Sequence, residues 1–211
     1  MLARTRLRTL LGALVALAVF AVPAAASERP PMRHERLAYW PERVALTQSW
    51  SQFMYGTEEF EPRLIVEHWT DGTTQDGAID FWNLTPESTW VHFIVDPDGR
   101  ITQLAPLDVI AKQAFGVSPW AIGVEHVGRS DGEVMGNAAE RRASYRLTCW
   151  LQERFRIPLR GVIGHGEAPS NPRFGFTPEG WRWIEETGYR FHEDFSHATM
   201  ARYRSHLRAA C

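Results

Sequence analysis

Five short stretches rich in β-branched and apolar residues, set well apart with helical patterns between them, constrain this chain most. They are Arg63–His68, Trp90–Asp96, Ile101–Ala105, Ala121–Val127 and Gly161–Gly164, each with the length and composition of a strand. Asp96-Pro97-Asp98-Gly99 is a strong turn signal and predicts that the second and third form a hairpin. Ala138–Phe155 carries Leu147, Trp150, Leu151 and Phe155 at helical spacing and stops at Ile157-Pro158. Ser196–Leu207 places Met200, Tyr203 and Leu207 on one helical face behind Ser196 as N-cap. Helices are also predicted over Thr47–Tyr55 and Thr74–Asn83. Strands interleaved with helices predict the α/β class: a single domain with a central mixed β-sheet flanked by helices. Ala168 to Tyr189, with Pro169, Pro172 and Pro178, reads as a long irregular loop, of a kind that often walls an active site.

The amino terminus reads as a targeting segment. Arg4, Arg6 and Arg8 precede an apolar run from Leu10 to Val22, and Ala24-Ala25-Ala26 offers a small-residue cleavage site. The run is short of the roughly 20 apolar residues that a membrane span needs, so residues 1–26 are expected to be a cleaved signal peptide. The mature protein is then secreted or periplasmic, without a membrane anchor. Cleavage removes three arginines and no acid, taking the formal net charge from −2 to −5. A mildly acidic chain is a poor match for nucleic acid, whose phosphates call for a basic face. Residues 27–45, opening with Pro30-Pro31 and mixed charges, are expected to be a leader before the domain at 46–211. The two cysteines, Cys149 and Cys211, are free to pair in an oxidising compartment or to stay apart.

The chemistry gathers at the strand ends. His68 closes Leu64-Ile65-Val66-Glu67-His68, His165 closes Val162-Ile163-Gly164-His165, Glu125 closes Ile122-Gly123-Val124-Glu125, and a late stretch reads His192-Glu193-Asp194. Two imidazoles, one carboxylate on a neighbouring strand and another on a late loop suit a catalytic zinc, which needs three protein ligands, an open position and a base. Gly164 and Gly166 flank His165 and are expected to leave room for an ion and a substrate backbone.

His68-Trp69-Thr70, the run from Trp90 to Gly99, Ala121-Ile122-Gly123-Val124-Glu125 and Gly164-His165 resemble, in order and spacing, the zinc N-acetylmuramoyl-L-alanine amidase family. That family shares its fold with the peptidoglycan recognition proteins and phage T7 lysozyme. The resemblance covers roughly residues 60 to 208. It implies His68 and His165 as zinc ligands, Glu125 as general base, and peptidoglycan or muropeptides as the substrate. The usual ending of lysine, one residue, then a ligand aspartate is absent. His192-Glu193-Asp194 resembles a variant of it, which implies Asp194 as third ligand and His192 in the lysine's place as donor to an oxyanion. His192, His197 and Glu167 stay open as alternatives for that third position. The usual His-Ala-Gly before the Glu125 strand is replaced by Ala114-Phe115-Gly116, and Val91 stands where a relative sometimes has a tyrosine.

Other residues take plainer readings. His92 lies mid-strand and is expected to be buried against a backbone partner. His197 and His206 belong to a solvated helix face. Trp150 is expected in the core, whereas Trp69, Trp181 and Trp183 flank the expected cleft and offer faces for sugar rings. No Gly-x-Ser-x-Gly supports a serine hydrolase, and Cys149 lies within a helical pattern. The residues by themselves point to metal-assisted hydrolysis, and the resemblance implies a zinc amidase, expected to be a monomer. A peptidoglycan-binding module without activity and a zinc peptidase cutting within the stem peptide are the rival readings.

Overall fold

In a computed structural model the described residues are 27–168, 175–189 and 192–211; the expected signal peptide lies outside them. Six strands form one mixed sheet: β1 (Arg33–His34), β2 (Leu64–Trp69), β3 (Phe93–Val95), β4 (Ile101–Gln103), β5 (Ala121–His126) and β6 (Val162–Gly164), in the order β1-β4-β3-β5-β2-β6. Only β3 and β4 pair antiparallel; the other neighbours run parallel. The hairpin follows from its turn, where Gly99 takes φ +84° and its amide donates to Asp96 O. A positive φ there suits glycine.

The helices are α1 (Trp40–Tyr55), α2 (Gln75–Trp82), α3 (Asp131–Gly136), α4 (Ala138–Phe155), α5 (Pro178–Thr187) and α6 (His197–Ala210). Asn137 caps α4 by accepting from the amides of Ala139 and Glu140, and Arg156 ends it in the left-handed region before Pro158. Ser196 caps α6, whose buried face is Thr199, Met200, Tyr203 and Leu207. The principal core lies between these two helices and the sheet, joining Ile65, Phe93, Ile122 and Val124 to Leu147, Leu151, Met200 and Leu207. Cys149 and Cys211 form a disulfide that ties the end of α6 to the middle of α4, with Cα atoms 5.5 Å apart. Trp150, expected in the core, is half-buried against it.

Two expectations are corrected. The segment 27–45 is not a free leader: β1 pairs with β4, α1 begins at Trp40 with Pro41 in its first turn, and Leu37 is buried. Arg43 is fully buried, and its guanidinium donates to the carbonyls of Ala38, Trp82, Thr85 and Ser88, which makes it a structural anchor for the α2–β3 connection. The stretch from Ala168 to Tyr189 is not all loop either. Pro178 sits in the first turn of α5, where its missing N–H costs no hydrogen bond, and Thr177 caps the helix by accepting from Gly180 N. Among the described residues no helix is long and apolar enough to cross a membrane.

Candidate active site

Three adjacent parallel strands end at one place. Register pairs His68 of β2 with Glu125 of β5, and Glu67 of β2 with Gly164 of β6, so His165 emerges beside His68. Ligand sites in open α/β sheets lie outside the carboxyl ends of such strands. His68 Nδ1 lies 3.0 Å from His165 Nδ1 and 3.1 Å from Asp194 Oδ2, and His165 Nδ1 lies 3.1 Å from Asp194 Oδ1. All three residues are buried, and their donor atoms fall within 4.8 Å of one another. Glu125 Oε2 stands 4.0 Å from His68 Nδ1, buried and without a hydrogen-bond partner.

Asp194 reaches the cluster through close backbone packing. A Cβ on Gly164 would meet Phe195 O at 1.8 Å, one on Gly166 would meet Glu193 O at 2.9 Å, and Gly166 N donates to Asp194 O. The glycines around His165 therefore make room for the chain's own 193–195 segment, a correction to the expected space for ion and substrate. Asp131 fixes the next turn, accepting from the amides of Phe195 and Ser196, from Ser196 Oγ and from Trp69 Nε1. Phe195 is held there at φ +52°, a conformation that non-glycine residues rarely take.

The charges fit a cation. Burial pulls the His68 pKa down, but the hydrogen bond to Asp194 and the charges of Glu125 and Asp194 outweigh it and push the group to about 9. Burial and the charge on His68 hold His165 near 4 despite Asp194. Asp194 stays well below the usual carboxylate range, because the two imidazoles outweigh the opposing effect of burial. Burial pushes Glu125 up to about 7, with His68 opposing and Asp194 adding to the rise. Without a metal the acids Asp194 and Glu125 thus favour a protonated His68. A divalent cation held by two imidazole nitrogens and a carboxylate would take that proton's place, and the donor set suits zinc.

Of the alternatives for the third position, Glu167 and His197 lie away from the cluster and His192 lies at its edge. Glu167 accepts from Arg204 at 2.6 and 2.9 Å and pairs with His197 at 2.6 Å on the outer side of α6. His192 is exposed at the cleft mouth, its ring stacked on His165 with centroids 5.0 Å apart. His206 stacks on Tyr145. His92 is fully buried, donating from Nε2 to Val109 O and accepting at Nδ1 from Gly123 N, and burial holds it near 4.

A cleft of about 630 Å³ opens over the cluster, walled by Trp69, Trp82, Trp90, Phe115 and Tyr189 with Lys112 and Arg129 among its polar groups. Trp69 lines it as expected; Trp181 and Trp183 do not. Trp183 stacks on the back of Phe115, with ring planes 6° apart, and Trp181 packs in the aromatic cluster with Tyr55 and Ile184. Sequence reasoning missed Gln113, whose Oε1 lies 2.6 Å from His68 Nε2, and it missed Asp131. It also passed over Glu67 and His126, although each sits beside a site residue in a repeated acid–histidine pair, Glu67-His68 and Glu125-His126.

A mixed α/β sheet with a largely buried acid beside a three-donor cluster at its parallel strand ends suits the class of metal-assisted hydrolases. The chain belongs to the N-acetylmuramoyl-L-alanine amidase family, whose model matches residues 58–174, and it is an amidase of that family. Among solved structures it is similar to Staphylococcus aureus hydrolase AmiA in complex with its ligand, at 20% identity and TM-score 0.54, covering 85% of this chain and 84% of that one. It is similar to the endolysin N-acetylmuramoyl-L-alanine amidase LysCS from Clostridium intestinale URNW, at 18% identity and TM-score 0.52, covering 78% and 100%. It is also similar to PlyL, at 14% identity and TM-score 0.52, covering 82% and 97%. At these identities the likeness speaks for the fold. No curated protein sequence matches the chain.

Proposed function

We propose that this amidase is zinc-dependent and hydrolyses the bond between the lactyl group of N-acetylmuramic acid and L-alanine, in peptidoglycan or in released muropeptides. One observation carries the reading: the largely buried Glu125 side chain, its Oε2 buried and free of any hydrogen bond, stands beside the His68, His165 and Asp194 donors. An unsatisfied buried carboxylate is costly, and a role in the reaction accounts for its presence. His68 and His165, through Nδ1, and Asp194, through its carboxylate, would hold the ion. When bound, zinc supplies the positive charge that polarises a carbonyl and acidifies water.

Glu125, raised to about 7 by burial, is matched to proton transfer near neutral pH. It takes a proton from the attacking water and returns it to the alanine nitrogen as the C–N bond breaks. The water's oxygen stays on the lactyl carbonyl carbon. His192, at the mouth and stacked on His165, donates to the developing oxyanion. The arginines followed by an apolar run at the amino terminus, and the Cys149–Cys211 disulfide, support an exported protein, secreted or periplasmic.

The test is incubation with purified peptidoglycan, with and without a chelator, reading freed L-alanine amino termini by chemical labelling and mass. Release that stops with chelator and returns with added zinc is the expected result. Termini at another stem residue would make the protein a stem peptidase. Binding without any cleavage, in protein loaded with zinc, would make it a recognition module.

A further inference from the structure

The geometry points to Gln113 as the positioning residue that sets the tautomer of His68 and so aims its Nδ1 at the metal site. Gln113 is buried, with Oε1 at 2.6 Å from His68 Nε2 and Nε2 at 3.1 Å from Ala121 O. A carbonyl oxygen only accepts, so the NH2 group of the carboxamide must face Ala121. Its oxygen must then face His68, and an amide oxygen only accepts. His68 Nε2 therefore carries the hydrogen, which leaves Nδ1 to point at His165 and Asp194. The chain of donors fixes a ring proton whose place is otherwise a matter of choice.

The surroundings are built to hold the carboxamide in that pose. Ser118 Oγ accepts from the amides of Gln113 and Ala114 and donates to Ala114 O, which pins the bend that presents the side chain. On the opposite side Gly123 leaves the space: a Cβ there would lie 2.8 Å from Gln113 Oε1 and 2.9 Å from its carboxamide carbon. A histidine that ligates a metal usually spends its other ring nitrogen on an acceptor that orients it, and loss of that acceptor typically weakens metal affinity 10–100-fold.

This inference rests on the zinc reading above, and its readouts are affinity and ring nitrogen signals rather than turnover. Gln113→Leu keeps the volume and removes the acceptor. Its zinc dissociation constant, measured by chelator competition, should rise about 10–100-fold. Gln113→Glu keeps an acceptor for His68 and should recover most of that loss, a rescue that a packing role would not give. Gly123→Ala, which displaces the carboxamide from the far side, should weaken zinc in the same direction. In 15N spectra of the zinc-loaded wild type, His68 should show a protonated Nε2, a signal that should shift or broaden in Gln113→Leu.

A bare Nε2 in the wild type overturns the inference without any substitution. So does a Gln113→Leu protein with zinc affinity within about twofold of wild type and unchanged His68 signals. A wild type that takes up no zinc overturns the proposed function and this inference together, whereas normal uptake by Gln113→Leu overturns this inference alone.

Discussion

Two acid–histidine pairs lie across the same two strands, one residue apart, and meet opposite fates. On one face Glu67 and His126 are fully buried, 2.9 Å apart, and the other Glu67 oxygen accepts from Thr148 Oγ1 and Tyr203 OH. On the other face His68 and Glu125 stand 4.0 Å apart and leave Glu125 Oε2 without a hydrogen bond. Successive side chains alternate across a strand, so one register, Glu67–His68 against Glu125–His126, yields both. The inner Glu67 carboxylate is satisfied on both oxygens, by His126 and by Thr148 of α4 and Tyr203 of α6, and contributes to stability, although His126 Nδ1 finds no hydrogen bond. The outer pair is left unsatisfied at a cleft, and that deficit is what an ion and a substrate can fill.

Substitutions should separate the two faces. The largest effect is expected from Asp194→Ala, which should cut zinc affinity sharply and bring amide hydrolysis to background, while thermal unfolding of the metal-free protein changes little. Full occupancy and turnover in that variant would end the claim that the outer face is built for metal. Glu125→Gln should keep zinc and fold while kcat drops about 10²–10⁴-fold, roughly 3–5 kcal/mol of barrier. Zinc loss in this variant would instead make Glu125 part of the metal's own shell.

The inner face should respond in stability. Glu67→Leu strands the hydrogen bonds of His126, Thr148 and Tyr203, and each buried polar group left unsatisfied costs about 1–3 kcal/mol, readable in denaturant unfolding. A variant as stable as the wild type would show that the inner pair is decorative. Cys149→Ser, on the same side, should cost about 2–5 kcal/mol and leave zinc content and turnover of the folded fraction intact.

The last effect is a pH slope at Glu140, which faces His126 Nδ1 at 3.9 Å. Burial pushes its pKa from 4.5 to about 8, the charge of Glu133 adding and the Val127 amide opposing. A folded pKa above the unfolded one means that this contribution is present below about 4.5 and is lost as pH rises through about 8. Glu140→Gln should flatten that fall, gaining on the wild type between those values in thermal scans. An unchanged slope would place the titration elsewhere.

Much of this was legible in the sequence. The apolar runs fixed β2 through β6 to within a few residues, because parallel strands buried on both faces read as near-continuous apolar stretches. His68, Glu125 and His165 stood out as polar ends to such runs. β1 was missed because it is two exposed residues long, and α3 because it spans six. The prolines that suggested a loop after Ala168 hid α5, since Pro178 serves as its first turn. Glu67 and His126 were marked only by the repeated acid–histidine pair, and their role was hidden because the Glu67 partners Thr148 and Tyr203 lie on distant helices. Gln113 escaped for the same reason: nothing local marks a carboxamide that meets a histidine 45 residues away.

The placement of Asp194 against Gly164 and Gly166 also bears on how the protein comes into being. His68 lies 97 residues from His165 and 126 from Asp194 along the chain, so the site is made of contacts of very long range. Such contacts form only after the entropy of closing their loops has been lost. The segment bearing Asp194 follows both histidines and joins them only when Phe195 and α6 have settled on the sheet. A chain in which that segment is undocked has two imidazoles and no third donor, so the three-donor cluster is complete only when the C-terminal segment is in place.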